Sequence, residues 1–513
     1  MSRPRRPVNW RCENAGQKGA SVPKPVAWVT DENMALLTDQ YELTMLQAYW
    51  REEMFDTSVF SLFVRRLPPG RNYLLACGLD DVLDYLESLH FTDTALEYLG
   101  TFDEFTDGFL EWLADLRFTG DVYAVPEGTP VFPDEPLLEV EAPLPEAQLA
   151  ETYIMNQVHL QTVLASKAAR VVEAARGRAV VDFGLRRMHG TDAGLKAARA
   201  FHVAGVAATS NVLAGQVYGV SVTGTMAHSY IQAHDDEKEA FRTFMELYPE
   251  TVLLVDTYDT LDGVRTVTEL AEECGDDFTA RAIRLDSGDL GELAKKSRRI
   301  LDDAGLDDVE IFASGGLDEH EIEELLDGGA PIDGFGVGTG MGVSRDAPAL
   351  DIAYKLTSYG GAGRLKLSPG KKILPGRKQI HRIEEDGIAV RDVLARAEPG
   401  ATGAAGSQSG DSAEGAGGAS GGEGPAQPRA TGEGRPLLRK VMAGGERTAA
   451  GRESLEGARQ RARDEIDRLP ERIRSIEDAD PPYPVEISDE LREYQERVIE
   501  EVEPEHAEWR SWP

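Results

Sequence analysis

VEIFASGGLDEHEIEELLDGGAPIDGFGVGTG, residues 309–340, contains the pattern that decides the fold. VEIFA is an apolar run of strand length that breaks at Ser-Gly-Gly. LDEHEIEELLDG then spaces its apolar residues along one helix face, and IDGFGV returns as a second apolar run ending in glycines. Two strands joined by a helix-length crossover must lie parallel, with the connection right-handed. The same unit recurs upstream: AVVDFG (179–184), GVAATS (205–210), GVSVTG (219–224), TVLLVD (251–256) and RAIRLD (281–286). Helical stretches such as 192–204, 237–248, 260–274 and 289–304 separate most of them. Seven such runs predict a (β/α) barrel over residues 178–356, with an open doubly wound sheet as the weaker alternative.

Around this barrel the chain changes character. Residues 1–33 read as a disordered extension, with Met34 a possible working start. Residues 34–177 mix helices (LTMLQAYW, LDDVLDYLESL and a long one over 145–175) with short strands punctuated by Pro and Gly. Residues 357–397 return as strands. Residues 398–434, rich in Gly, Ser and Glu, have too little apolar surface to offset their ordering entropy and are expected to be a flexible insertion. Residues 435–513 end the chain in helices.

At 513 residues and 41% hydrophobic content the chain has material for two or three domains. A net charge of -36 argues against nucleic acid or an anionic membrane surface as partner. Abundant Asp and Glu with few Lys resemble a salt-adapted surface. Cys12, Cys77 and Cys274 are too few and scattered for a disulfide framework or a paired-cysteine metal site, which fits a reducing cytoplasm. No apolar run nears the ~20 residues of a membrane span.

Polar chemistry collects where each predicted strand ends, and barrel enzymes build their sites on those loops. Ordinary helix capping accounts for Asp289 and Asp318. It does not account for Arg186, Arg187, His228 and Arg284, which are candidate functional residues. Gly315 and Gly316 lead into a helix with capping-box spacing at Asp318 and Glu321, a backbone arrangement suited to an anion. Gly338 and Thr339 offer a second such loop, so a pyrophosphate and a sugar phosphate could occupy the pair. Asp286 could accept from ribose hydroxyls or simply cap a helix.

The blocks LLTDQYELTMLQAYW, DFGLRRMHGTDAGLKAARA, ATSNVLAGQVYGVSVTGTMAHS, LLVDTYDTLDGV, IRLDSGDL, FASGGLDEHEI and FGVGTGM occur in order over about residues 34–345, and RPLLRKVM follows. By these motifs the chain closely resembles the nicotinate phosphoribosyltransferase family. The resemblance implies an irregular α/β barrel packed against an α/β domain built from both chain ends, commonly as a homodimer with shared active sites. It implies joining of nicotinate to 5-phosphoribosyl 1-pyrophosphate, giving nicotinate mononucleotide and pyrophosphate. It further implies Mg2+, with no protein ligand assigned, and ATP coupling through a phosphorylated histidine.

Carried over by motif, His228 is the phosphate-accepting histidine, Asp256 a residue placed to orient it, and Thr225 a ligand contact. Tyr41 would stack on the pyridine ring, supplied by the partner subunit, and Phe183 would cover the other face or pack in the core. Arg186 and Arg284 would hold donor and nicotinate, with the division of labour left open. Asp286, Ser287, Gly315, Gly316, Gly338 and Thr339 would line the donor site. Asn211, where nicotinamide-using relatives carry Asp, favours the acid. Nicotinamide phosphoribosyltransferase, quinolinate phosphoribosyltransferase and a non-catalytic phosphosugar or nucleotide sensor are the alternatives.

Overall fold

The computed structural model describes residues 28–367, 373–397 and 434–506. Most of the expected N-terminal extension and all but the last residue of the 398–434 insertion lie outside these. One domain is built on a seven-stranded antiparallel sheet. Its order is Ala362–Gly363, Ile352–Tyr359, Thr57–Val64, Pro136–Pro143, Asp121–Ala124, Arg439–Ala443 and Glu446–Arg447. Strands from far along the chain thus flank strands near its start: Tyr354 lies opposite Leu62, and Lys440 opposite Tyr123. A four-stranded sheet, comprising Arg435–Pro436, Lys378–Glu385, Ile388–Arg396 and Val485–Ile487, completes this half. The 435–513 segment therefore supplies strands as well as the helices Leu455–Asp467 and Asp489–His506.

The second domain is a ring of parallel strands. Ala179–Asp182 pairs with Ala208–Thr209; Val252–Leu254 pairs with Ala282–Leu285, which pairs with Glu310–Ser314, which pairs with Gly334–Val337. Gly334–Val337 then pairs back onto Ala179–Asp182, bringing the last strand beside the first. That return excludes a simple open doubly wound order.

The expected seventh strand, GVSVTG, is not formed. It contributes one parallel bridge, Thr209 to Val222, held by Thr209 N donating to Ser221 O and Thr223 N to Thr209 O. Val220 is buried, but Ser221, Val222 and Thr223 are all exposed, so the run is not buried along its length as a barrel strand requires. Among the described residues no ladder joins this run to Val252–Leu254, and the ring has a seam there. The candidate histidine emerges at that seam.

A long helix, Glu151–Ala174, joins the two halves. Its first part (Tyr153, Ile154, Val158, Val163) belongs to the core of the antiparallel domain. Its second part (Leu164, Ala165, Ala168, Ala169, Val171) belongs to the core of the ring. Burying each Val or Leu there contributes roughly 1.5–3 kcal/mol, so one rigid element is anchored in both cores. Gly78 packs against it so closely that a Cβ would fall 2.7 Å from Gln157 O, and its φ of +100° also demands glycine. No described helix is long and apolar enough to cross a membrane.

Candidate active site

Three successive strand ends gather around His228, which itself follows the unformed GVSVTG strand. The Met226 to Asp286 segments are tied first by Arg284, whose Nη2 donates to Met226 O at 2.9 Å across the seam. His228, the first residue of a short helix, places Nδ1 3.2 Å from Thr257 Oγ1 and Nε2 3.8 Å from Asp286 Oδ2. Asp286 is fixed from both sides. Ser314 Oγ donates to its Oδ1 at 2.5 Å, and its own N–H donates to Asp256 Oδ2 at 2.9 Å. Ser287 Oγ donates to the same Asp256 oxygen at 2.7 Å. Asp256 therefore braces the Asp286 loop rather than the imidazole, and Thr257 is the hydroxyl that meets His228.

Asp256 is 8% exposed, and its Oδ1 has no hydrogen-bond partner among the described residues. Arg284 Nε is likewise buried and unpartnered. Burial pulls the Arg284 pKa down, the carboxylates of Asp286 and Asp256 push it back up, and Arg186 lowers it further. A guanidinium stays charged under such a shift. The consequence is a poorly hydrated positive charge with a free donor at the site, well suited to an anionic ligand.

Phe183 lies under this cation, its ring centre 5.8 Å from the Arg284 guanidinium carbon. It also meets Phe312 at 6.2 Å and covers Gly336, where a Cβ would fall 2.5 Å from the ring. Phe183 thus packs against the ring core on one side and beneath Arg284 on the other.

The two glycine loops touch. A Cβ on Gly340 would lie 3.2 Å from Leu317 O and 3.3 Å from Asp318 Cβ. Gly315 adopts φ +99° so close to the Asp286 carbonyl that a Cβ would sit 1.9 Å from its oxygen. At Gly316, φ +77°, the Cβ direction is open. Gly338 sets the start of Thr339–Gly342, with Thr339 exposed. Asp318 and Glu321 form the capping box expected from their spacing. Arg345, 66% exposed and 3.6 Å from Asp318, adds a cation that the motif reading overlooked.

The other candidates make no hydrogen bond to His228 or Asp286, although Arg186 is near enough for Arg284 to feel its charge. Asn211, 5% exposed, caps the helix Val212–Tyr218: its Oδ1 accepts from Ala214 N and its Nδ2 donates to Gly194 O. Thr225 makes a long bond to Met226 O at 3.3 Å. Arg186 and Arg187 are exposed on the turn Leu185–Arg187. Tyr41, 48% exposed on Gln40–Arg51, has Glu42, Asp39 and Glu151 as its charged neighbours, all in the antiparallel domain. A cavity of about 160 Å³, lined in part by Ser61, Phe63, Thr357 and Lys378, lies in the other domain.

Among the described residues no group of three or more His, Cys, Asp or Glu side chains forms a metal cage. The oxygen set of Asp256, with its orphan Oδ1, and Asp286 fits a hard divalent cation that keeps water and phosphate oxygens as its other ligands.

Residues 36–159 match the family model described as the nicotinate phosphoribosyltransferase (NAPRTase) N-terminal domain, and residues 164–355 that of the quinolinate phosphoribosyl transferase C-terminal domain. The chain is 53% identical over 457 residues to nicotinate phosphoribosyltransferase pncB2 of Mycobacterium tuberculosis, covering 89% of this chain and 92% of that one. It is 44% identical over 361 residues to the Bacillus subtilis nicotinate phosphoribosyltransferase, covering 69% and 74% respectively. The crystal structure of human nicotinic acid phosphoribosyltransferase superposes with a TM-score of 0.74 at 27% identity, covering 90% of this chain and 99% of that one. Fold and relatives together define a barrel-type phosphoribosyltransferase. Within that class, the chain belongs to the nicotinate phosphoribosyltransferase family.

Proposed function

We propose that this chain joins nicotinate to 5-phosphoribosyl 1-pyrophosphate, releasing pyrophosphate, and couples the step to ATP through His228. The observation that carries the reading is the convergence of His228, Arg284, Asp286 and Gly315 on one mouth. The pyridine nitrogen attacks C1 of the ribose with its own lone pair as the C1–O bond to pyrophosphate breaks, so no strong base is needed. The protein's part is to orient the reactants and to stabilise the departing anion. Asp286 accepts from the ribose hydroxyls. The loops at Gly315–Gly316 and Gly338–Thr339 present N–H groups to phosphate oxygens, and Arg284, Arg186 and Ser287 complete the anion site. Asp256 and Asp286 would hold Mg2+, which neutralises charge on the pyrophosphate.

For ATP coupling, the tautomer that carries its proton on Nδ1, 3.2 Å from Thr257 Oγ1, leaves the Nε2 lone pair to take the γ-phosphoryl group as ADP departs. Tyr41, exposed in the antiparallel domain, would reach a ring mouth in a homodimer, stacking on nicotinate opposite Phe183. Thr225 is a further substrate contact in this reading. The acidic composition suits a salt-adapted cytoplasmic enzyme. Asn211 favours the acid over the amide because, unlike an aspartate, it carries no charge to repel a carboxylate and has an N–H group to donate.

Product formation from nicotinate and donor, with and without ATP, tests the reading directly. His228→Ala should lose the ATP stimulation and keep ATP-independent turnover, whereas intact coupling would overturn the assignment. A kcat/KM for nicotinate about a hundredfold above that for nicotinamide is expected. Comparable values would favour the nicotinamide enzyme.

A further inference from the structure

Beneath the two glycine loops lies a buried charge cluster that the proposed reaction leaves unused. Lys167, in the ring half of the spanning helix, is 1% exposed. Its Nζ lies 2.5 Å from Glu319 Oε2 and 2.8 Å from Asp346 Oδ1. Glu319 opens the helix that follows Gly315–Gly316, and Asp346 follows the Thr339–Gly342 turn. One ammonium therefore joins the flank of the first loop to the flank of the second. Arg170 Nε holds the other Glu319 oxygen at 2.9 Å, and Arg71 Nη1 holds the other Asp346 oxygen at 2.7 Å. Arg170 Nη2 also donates to Ile476 O at 2.8 Å.

Two features argue that this cluster does more than hold the domains together. Burying ions is a poor source of stability, because desolvation offsets most of the attraction and apolar side chains of the same volume serve as well. The cluster also reaches the loops themselves. Lys167, Arg170 and Arg71 contact Glu319 and Asp346, the Lys167 charge is felt by Asp318 at the end of the first loop, and Arg71 Nη2 is buried without a partner among the described residues.

We propose that Lys167 is a positioning residue for the phosphoribosyl donor: acting through Glu319 and Asp346, its buried ammonium fixes the spacing of the two glycine loops. The inference rests on the reading that these loops hold the donor's phosphates. Nicotinate, whose candidate contacts lie on other strand ends, should be little affected.

The test compares Lys167→Met, Lys167→Arg and Asp346→Asn in the full-length protein. Lys167→Met should raise KM for 5-phosphoribosyl 1-pyrophosphate about tenfold or more while KM for nicotinate stays within about twofold. Lys167→Arg should restore part of the difference. Equal change in both constants, or none, in a folded Lys167→Met protein would overturn the proposal. If that variant does not fold, Asp346→Asn cuts one side of the link at a partly exposed side chain and is held to the same split. Calorimetric titration of Gly316→Ala with the same donor separates the two layers. Unchanged donor affinity there sinks the loop reading and this inference with it. Weakened affinity there, with Lys167→Met unaffected, sinks only the role of Lys167.

Discussion

His228 Nδ1 and Thr257 Oγ1 stand 3.2 Å apart across the one seam where the parallel ring lacks a ladder. A strand there would have committed the backbone to hydrogen bonds with its neighbour. Its absence leaves the imidazole on a short helix, free to face the mouth. The threonine hydroxyl can accept from Nδ1–H or donate to Nδ1, and in the first arrangement Nε2 keeps its basic lone pair. Thr257→Val should therefore reduce ATP-stimulated turnover about tenfold while ATP-independent turnover changes little, since one hydrogen bond is worth roughly 0.5–1.5 kcal/mol. Parallel assays with and without ATP read the difference, and an equal fall in both would assign Thr257 to the transfer step instead.

Besides the free Oδ1, Asp256 has a bracing role. Its Oδ2 accepts from both Asp286 N and Ser287 Oγ, so Asp256→Ala strands two donors and frees the loop that carries Asp286. Asp286 is half-buried and Ser287 exposed, so each lost bond costs nearer the roughly 0.5–1.5 kcal/mol of one hydrogen bond. The expected result is a fall in kcat/KM for the phosphoribosyl donor of about fivefold to a hundredfold. Steady-state kinetics against donor at saturating nicotinate would show it. Wild-type values would mean that the Asp286 loop holds its place without this carboxylate.

Gly315 and Gly316 both have positive φ, yet alanine should be felt very differently at the two. At Gly315 the new Cβ would lie 1.9 Å from the Asp286 carbonyl oxygen, so the loop that positions Asp286 near His228 must move. At Gly316 nothing lies within 4 Å and only backbone strain remains, about 1 kcal/mol. Gly315→Ala should lower the thermal midpoint and kcat clearly more than Gly316→Ala. Equal losses would mean that backbone conformation alone explains the glycine pair.

The ring was legible in sequence because parallel strands buried on both faces read as short apolar runs, and helix-length spacers force their pairing. GVSVTG was misleading for the same reason. Its composition is that of a buried strand, and nothing local reveals that Ser221, Val222 and Thr223 stay exposed. The antiparallel sheet was beyond reach, since pairing Leu62 with Tyr354 depends on tertiary packing and not on any neighbouring residue. Within the site, charged and glycine positions stood out, whereas Thr257 and Ser314 look like any hydroxyl at a strand end. Asn211 had a readable local role, because it directly precedes the helix VLAGQVY as a cap should. Lys167 also left a signal: in LASKAARVV it is a lone lysine in an apolar stretch, which in a buried helix needs partners.

Glu42 supplies a pH dependence whose sign can be worked out. It is 0% exposed, and its carboxyl accepts from Thr38 Oγ1 at 2.7 Å, Thr152 Oγ1 at 2.8 Å and Tyr41 Oη at 3.3 Å. Burial pushes its pKa up to about 7; the hydroxyls of Thr38 and Thr152 pull the other way, and Glu151 adds to the rise. An unfolded glutamate titrates near 4.3. Between those values the folded chain holds a proton that the unfolded chain has released, so this group's stabilisation is complete below about pH 4 and is lost as pH rises through 7. The loss amounts to at most about 3–4 kcal/mol. Glu42→Gln, neutral throughout, should lack this term. Its urea midpoint should therefore gain on the wild type between pH 5 and pH 8, and parallel midpoints across that range would mean that Glu42 titrates as an ordinary carboxylate.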